Sequence, residues 1–319
     1  MTGDAGVTGG VSTVVVSSLK LVAVLPIALG YVLDSCIRTL IPRRFKRRDI
    51  KGETMLITGG GSGLGRELAI RFASKGAYVI VWGRNEKNLQ KTKSLIEAKG
   101  GHCSYYCVDV TNKDAIYSTA EQVLREFGKV DVLINNAGVV YGKNLLELSD
   151  DNITNTMNVN ILSHFFTTRA FLPTMIRKKT GQIVTMSSMA GYMAVNKMTD
   201  YCSSKYASIG FNESLTMEIR ANGHTGICTT LVCPYYTDTG MFSGIKSSFV
   251  PVMTPEFVAD EVADAIIMQK RHCVLPRYLS IAIIASTLLP DKLFYLLCSK
   301  VFGITSGLSE FSGRHVQKG

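Results

Sequence analysis

The sequence predicts a doubly wound α/β domain, a parallel sheet with helices on both faces. Three observations carry this. Short β-rich runs alternate with helical stretches from residue 54 onward, the runs are apolar without polar alternation, and a glycine-rich loop stands between the first run and the first helix. Runs such as Tyr78-Val79-Ile80-Val81-Trp82 suit strands covered on both sides. Alternating helices supply the crossovers that parallel strands need.

In order, the elements are Thr54 to Thr58, then a helix over Leu64 to Ser74; Tyr78 to Trp82, then Asn85 to Ala98; Ser104 to Val108, then Lys113 to Phe127. Val132 to Asn135 follows, then a long helical region from Asp150 to Arg177, a strand over Gln182 to Ser187, a helix near Tyr201 to Arg220 and a strand over Ile227 to Val232. In such sheets the ligand sits at the carboxyl ends of the strands, where the strand order reverses.

The 319 residues, 46% of them hydrophobic, hold one large domain between two apolar ends. The chain divides into a hydrophobic segment with a basic flank (1–49), the α/β domain (50–278) and a hydrophobic C-terminal extension with a polar tail (279–319). From Val11 to Leu40 the chain is mostly apolar, but Lys20 and Pro26 interrupt it. A spanning helix needs about 20 apolar residues. Counting from Val11 reaches that length, whereas counting from Leu21 gives an interfacial or hairpin anchor. A cleaved leader fits less well, because the positive charge follows the apolar run.

The formal net charge of +10 admits nucleic acid, an anionic membrane surface or an anionic cofactor as a partner. Arg43-Arg44-Phe45-Lys46-Arg47-Arg48 and Lys51 directly follow the apolar segment, which favours a membrane surface, with a plain solvated linker as the alternative. Nucleic acid is not expected, since no aromatic-basic interleaving supports it. The positive-inside tendency puts the domain on the cytosolic side. At the other end, the apolar stretches around Pro290 read equally as a helix pair over the substrate cleft or as a membrane contact, and Ser306 to Gly319 as a frayed polar tail. Eight scattered cysteines form no CxxC pair and no metal-ligand rhythm with the five histidines, so free thiols in a reducing compartment and no metal are expected.

The loop after the first strand is Thr58-Gly59-Gly60-Gly61-Ser62-Gly63-Leu64-Gly65. Glycine lets the backbone approach a pyrophosphate, and the free amides of a helix N-terminus favour negative charge. The second strand ends at Trp82-Gly83-Arg84, where an acid would hold the ribose 2′-hydroxyl of NAD. With Gly83 in that place and Arg84 beside it, a 2′-phosphate is welcome, so NADP(H) is preferred and NAD(H) is the alternative.

Tyr201 and Lys205 stand one helical turn apart. An ammonium beside a phenol favours the phenolate and moves the phenol toward the range useful for acid-base work. Upstream, Ser188 follows the fifth strand, where its hydroxyl can donate to a substrate carbonyl oxygen. Asn135-Asn136-Ala137-Gly138 ends the fourth strand, and Asn160 lies in the long helical region.

This set, in this order, resembles the short-chain dehydrogenase/reductase superfamily over residues 52 to 278. The resemblance implies a seven-stranded Rossmann sheet, with Tyr201 as proton donor or acceptor. Lys205 would lower its pKa and hold the nicotinamide ribose, Ser188 would orient the carbonyl, and Asn160 would hold a water of the proton relay. It implies cofactor contacts from Gly59, Gly61, Ser62, Gly63, Leu64, Gly65, Arg84, Asp109, Val110, Asn136, Ala137, Gly138, Pro234 and Thr239, with Asp109 at the adenine and Asn135 and Ala137 lining the cofactor side. One departure stands out: Tyr235 follows Pro234 where the family usually has glycine, which adds an aromatic wall beside the nicotinamide and puts the local backbone in question.

The Trp82-Gly83-Arg84 strand end, the apolar N-terminus and the basic patch resemble the membrane-associated retinol dehydrogenase and retinaldehyde reductase branch. That resemblance implies a lipophilic substrate at the endoplasmic reticulum membrane or a lipid droplet, and the family's habit of pairing through long helices makes a homo-oligomer one arrangement. Met189, Tyr192, Met193, Tyr235, Met241 and Phe242 offer deformable or aromatic surface for such a substrate, although each is equally plain core. Reduction of all-trans-retinaldehyde is the first expectation, with Ser188, Tyr201 and Tyr235 at the substrate. A steroid or long-chain alcohol dehydrogenase is the second, and a non-catalytic nucleotide-binding scaffold the third.

Overall fold

The computed structural model describes residues 26, 29–30, 33, 41–242, 245, 250–297, 299 and 311. The chain divides into two compact units, Met1–Arg48 and Asp49–Gly319. In the first, Leu29, Leu33, Ile41 and Phe45 are exposed and a 3-10 turn covers Arg43–Phe45. Most of the apolar segment 11–40 lies outside the described residues, and among those described no helix is long and apolar enough to cross a membrane.

The second unit is built on a seven-stranded parallel sheet: β1 (Thr54–Thr58), β2 (Tyr78–Gly83), β3 (His102–Cys107), β4 (Val132–Asn135), β5 (Gly181–Met186), β6 (Ile227–Pro234) and β7 (His272–Leu275), in the order β3-β2-β1-β4-β5-β6-β7. This is the doubly wound sheet expected, with its order reversing between β1 and β4. The helices are α1 (Gly63–Ser74), α2 (Glu86–Glu97), α3 (Lys113–Phe127), α4 (Asp150–Met157), α5 (Ser163–Lys178), α6 (Thr199–Ala221), α7 (Pro255–Ile267), α8 (Leu279–Leu288) and α9 (Asp291–Leu296).

Unbroken apolar runs make sense because each strand feeds both helical layers in alternation. Met55, Ile57, Val79 and Val81 pack under α1, α2 and α7 through Leu68, Phe72, Leu89, Val258 and Ile266. Leu56, Ile80 and Trp82 face the opposite layer, with Ile116, Phe171, Met175 and Leu215 of α3, α5 and α6. Burying each such side chain stabilises the fold by roughly 1.5–3 kcal/mol. The helix starts are set by side-chain caps: Asn85, Asn112, Ser149 and Thr254 each accept a backbone N–H of the first turn.

Several elements differ from the sequence reading, and β7 was not placed in it. The third strand begins at His102, before Ser104. Helix α7, with Thr254 as its cap and Pro255 in its first turn, carried a start signal that the reading passed over. The long helical region is not continuous, since a π turn over Asn158–Leu162 separates α4 from α5. A wide turn of this kind recurs at functional sites, and this one holds Asn160.

Candidate active site

The carboxyl ends of β1, β2, β4, β5 and β6 open into one cleft of about 790 Å³, within the range of small-molecule sites. At its floor, Thr58 closes β1 and ties two loops together. Its hydroxyl accepts from the backbone N–H groups of Asn136 and Ala137, each at 3.0 Å. Asn136 Nδ2 returns a bond to Thr58 O at 2.9 Å.

Above this floor the N-terminus of α1 faces the cleft without a side-chain cap, and Ser62, Gly63, Leu64 and Gly65 line it there. First-turn amides of a helix have no internal acceptor. A side chain at Gly65 would meet Gly59 O at 2.4 Å and Asn136 Nδ2 at 2.6 Å, so glycine is required for the loop to close on the helix. Gly59, at φ +69°, takes a left-handed turn that other residues resist. Arg66 locks the loop from behind: its Nε donates to Thr92 Oγ1 at 3.0 Å and its guanidinium to Gly61 O. These open amides and the side-chain-free approach fit a pyrophosphate.

Further along the same wall lie Gly83, Arg84, Asp109 and Val110. No acid pairs with Arg84 among the described residues. The Asp109 carboxylate is held by the backbone N–H and hydroxyl of Thr111, at 3.0 and 2.8 Å. Ala137 and Gly138 line the middle of the cleft, with Pro234 and Thr239 opposite. The Thr239 side chain lies 3.2 Å from where a Cβ on Gly63 would stand, so the β6 loop reaches the phosphate loop.

Tyr201 and Lys205 on α6 and Ser188 after β5 meet at the other end. Tyr201 is hydrogen-bonded to Ser188 and its ring lies edge-on to Phe242, centroids 5.8 Å apart. Lys205 Nζ is 5.6 Å from the Tyr201 ring centroid and donates to Met186 O at 2.8 Å. Lys205 was expected to draw the phenol down, and in this geometry burial is the larger influence on it. Complete burial pushes the Tyr201 hydroxyl up, against a smaller downward pull from Ser188, and burial brings Lys205 down to about 8.

Two candidates stand behind the cleft wall, and only for Asn135 does this depart from what was expected. Asn135 does not line the cleft: its side chain turns into the core, where Thr167 donates to Oδ1 at 2.7 Å. Asn160 is buried behind Gly138, clasping the backbone of Val139 with Oδ1 at 2.8 Å and Nδ2 at 3.0 Å, and donating to Ser204 Oγ. Its place is beside Lys205 and off the cleft wall.

Tyr235 settles into an unstrained position. Its N–H donates to Leu275 O at 2.8 Å, continuing the β6–β7 pairing, and its φ is not positive, so no glycine is needed. Its ring packs on Tyr236, Tyr236 on Phe242, and Phe242 on Phe311, at centroid distances of 4.5, 5.4 and 6.0 Å. Of the tail read as frayed, Phe311 alone lies among the described residues, and it is 3% exposed and clusters with Tyr201, Met198 and Val140. A lone aromatic in a polar tail was the available signal. Met189, Tyr192 and Met193 also gather at this end, against Leu279, Ala282 and Ile283 of α8. Thr58, Arg66 and Tyr236 were likewise missed. Nothing in their sequence neighbourhood separates them from ordinary strand-end and helix-surface residues.

Comparison with known proteins agrees with this geometry. Residues 53–248 match the family model for short chain dehydrogenases. The chain is 38% identical to human epidermal retinol dehydrogenase 2 over 92% of this chain and 96% of that one. It is 37% identical to bovine short-chain dehydrogenase/reductase family 16C member 6 over 90% and 91%, and 36% identical to human estradiol 17-beta-dehydrogenase 11 over 89% and 94%. Among solved structures, a short chain dehydrogenase/reductase from Burkholderia phymatum in complex with NAD superposes with TM-score 0.69 at 25% identity, covering 76% of this chain and 95% of that one. A metagenomic short-chain oxidoreductase in complex with NADP gives TM-score 0.63 at 29% identity, covering 72% and 98%.

Proposed function

The chain belongs to the short-chain dehydrogenase family, an oxidoreductase family acting on alcohols and carbonyls with a nicotinamide cofactor, and on that premise we propose that it reduces a lipophilic aldehyde with NADPH, all-trans-retinaldehyde to retinol fitting best. The carrying observation is the contrast between the two ends of one cleft. One end offers Arg84 with no acid paired to it among the described residues, and Tyr235, Tyr236, Met241 and Phe242 line the same cleft as Tyr201, with Phe242 edge-on to its ring.

When bound, the cofactor supplies the hydride. Tyr201, held protonated by its burial, gives its proton to the oxygen of the reduced carbonyl, while the Ser188 hydroxyl orients that oxygen. Lys205 places a positive charge beside the phenol, and Asn160 fixes the loop after β4 by bonding both backbone groups of Val139. Since Lys205 is charged below about pH 8 and neutral above, kcat/KM for reduction is expected to hold at neutral pH. It then falls as pH rises through that value. A kcat/KM profile measured between about pH 6 and 10 checks this, because it reports groups of the free enzyme. A flat profile across that range contradicts it.

Arg84 carries the preference for NADPH. Arg84→Ala is expected to raise the NADPH KM by about 10- to 100-fold, as for a lost hydrogen bond to a charged group, and to leave the NADH KM within about twofold. Equal effects on both cofactors would remove Arg84 from the 2′-phosphate.

A steroid or long-chain alcohol is the second reading, supported by the likeness to an estradiol 17-beta-dehydrogenase. A panel of retinoid, steroid and fatty aldehydes with both cofactors separates the two. We read residues 11–40 and the basic patch at 43–51 as an anchor to the endoplasmic reticulum membrane or a lipid droplet, with the domain facing the cytosol. The exposed Ile281, Ile284 and Leu288 of α8 support a lipid surface nearby. Flotation of the full chain with anionic liposomes tests it, and a protein that stays at the bottom of the gradient contradicts it.

A further inference from the structure

The cleft wall nearest the Tyr201 ring is Phe242, and its position is set by packing. The stretch after β6 that leads to it is fixed at its base by main-chain bonds. Tyr235 N–H donates to Leu275 O at 2.8 Å, Met253 N–H to Tyr236 O and Asp238 N–H to Met253 O, the last two at 3.0 Å. Phe242 lies beyond this pairing, where rings from three parts of the chain meet it.

Tyr236 and Tyr201 stand edge-on to Phe242, with centroids 5.4 and 5.8 Å away, and Phe311 is tilted against it at 6.0 Å. These separations are the ones aromatic pairs prefer, about 4.5–7 Å. Tyr201, Tyr236 and Phe242 line the cleft, whereas Phe311 does not. Phe311 therefore backs the wall without forming its surface.

General collapse of apolar chain does not account for this placement. Phe311 is flanked in sequence by Ser309, Glu310, Ser312 and Gly313. The apolar residues Ile281, Leu288 and Tyr295 of the preceding helices stay exposed, while this isolated ring is enclosed beside Tyr201, Met198 and Val140. The contact is made by a residue that follows α9 in the chain and reaches back to the reacting end of the cleft.

A carbonyl that reaches the Tyr201 hydroxyl must pass alongside Phe242. Packed interiors give way little, so a ring held from behind presents a fixed width to whatever enters. Without its backing, the same ring has free space to turn into.

We propose that Phe311 is a positioning residue that sets substrate selectivity: by backing Phe242 it fixes the width of the cleft beside Tyr201, admitting carbonyls on a slim chain and turning away those with bulk at the carbonyl carbon. This role rests on Tyr201 acting as proton donor. Phe311 acts through Phe242 and touches neither substrate nor cofactor. The phosphate loop and Arg84, at the other end of the cleft, are untouched by it.

Kinetics of the full chain with NADPH and two aldehydes test this: decanal, unbranched at its carbonyl, and cyclohexanecarbaldehyde, bulky there. Phe311→Ala is expected to lower the ratio of kcat/KM for decanal over cyclohexanecarbaldehyde by about tenfold, the low end of what the shape of an apolar pocket discriminates. The NADPH KM stays within about twofold. Phe311→Leu, which refills much of the space, keeps most of the wild-type ratio. Lost stability alone would lower both rates together and leave the ratio where it was. Phe242→Ala is expected to shift the ratio as far as Phe311→Ala, and the double variant no further, because two residues acting through one contact are not additive. An unchanged ratio in folded Phe311→Ala, or additive shifts in the double variant, overturns the proposal. Phe311→Val carries the same measurement should Phe311→Ala not fold. A crystal structure of the variant decides the point without turnover: Phe242 is expected to leave its edge contact with Tyr201, and a ring still 5.8 Å from it overturns the role of Phe311. Failure of the wild type to reduce retinaldehyde would count against that substrate alone.

Discussion

Tyr201→Phe is expected to lower kcat for carbonyl reduction by about 10²- to 10⁴-fold, the contribution of a positioned general acid, and to leave NADPH affinity within about twofold. The substitution removes one oxygen and keeps the ring. Phenylalanine retains the edge contact with Phe242 and the packing with Met198, Val140 and Phe311, so the fold and the cleft walls persist. What disappears is the hydroxyl proposed as proton donor, and with it the partner of Ser188. Single-turnover kinetics, paired with NADPH fluorescence on binding, separate the chemical step from affinity. A variant that reduces substrate at the wild-type rate would assign the proton to another group.

Gly65→Val is expected to abolish binding of either cofactor, with at least about a 10²-fold loss in affinity, about 2.7 kcal/mol. The new side chain would run into Gly59 O at 2.4 Å, and a backbone carbonyl inside the phosphate loop cannot rotate away as a side chain does. The loop must open, carrying Asn136 and the Thr58 clasp with it. Overpacking of this kind also costs about 1–3 kcal/mol of stability, so thermal melting is expected to fall while the fold holds. Isothermal titration with NADPH and NADH, beside a melting curve, checks both parts. Normal titration by a folded variant would contradict the loop's role as the phosphate cradle.

Much of this architecture was legible because two-sided burial leaves a plain mark. Strands such as Tyr78–Gly83 feed both helical layers, so they carry no polar alternation, and the glycine loop stands where the first strand gives way to the first helix. Spacing on a helix put Tyr201 and Lys205 on one face and a strand end placed Ser188, while the resemblance of the whole motif set to a known family singled the three out; the structure brings them into one cleft. Features that depend on contacts were hidden. The π turn at Asn158–Leu162 leaves no period in sequence, and the direction of Asn135 is decided by Thr167 on a distant helix. The upward shift of Tyr201 comes from how completely the fold encloses it, which spacing to Lys205 does not reveal. Phe311 reads as a tail residue until the chain brings it against Phe242.

Tyr235 shows the limit from the other side. The glycine expected there suggested a special backbone, yet the N–H of Tyr235 simply continues the pairing with Leu275 and the ring extends the aromatic wall. The substitution therefore speaks to what the pocket holds, and leaves the fold as it was.

The central claim is that Tyr201 and the aromatic end of the cleft reduce a lipophilic aldehyde with NADPH held at Arg84. Steady-state kinetics of the purified full chain with all-trans-retinaldehyde, NADPH against NADH, test it most directly. The account predicts retinol formation with kcat/KM at least about tenfold higher for NADPH, the discrimination of a hydrogen bond to a charged group. No retinol with either cofactor, or a clear preference for NADH, would contradict it.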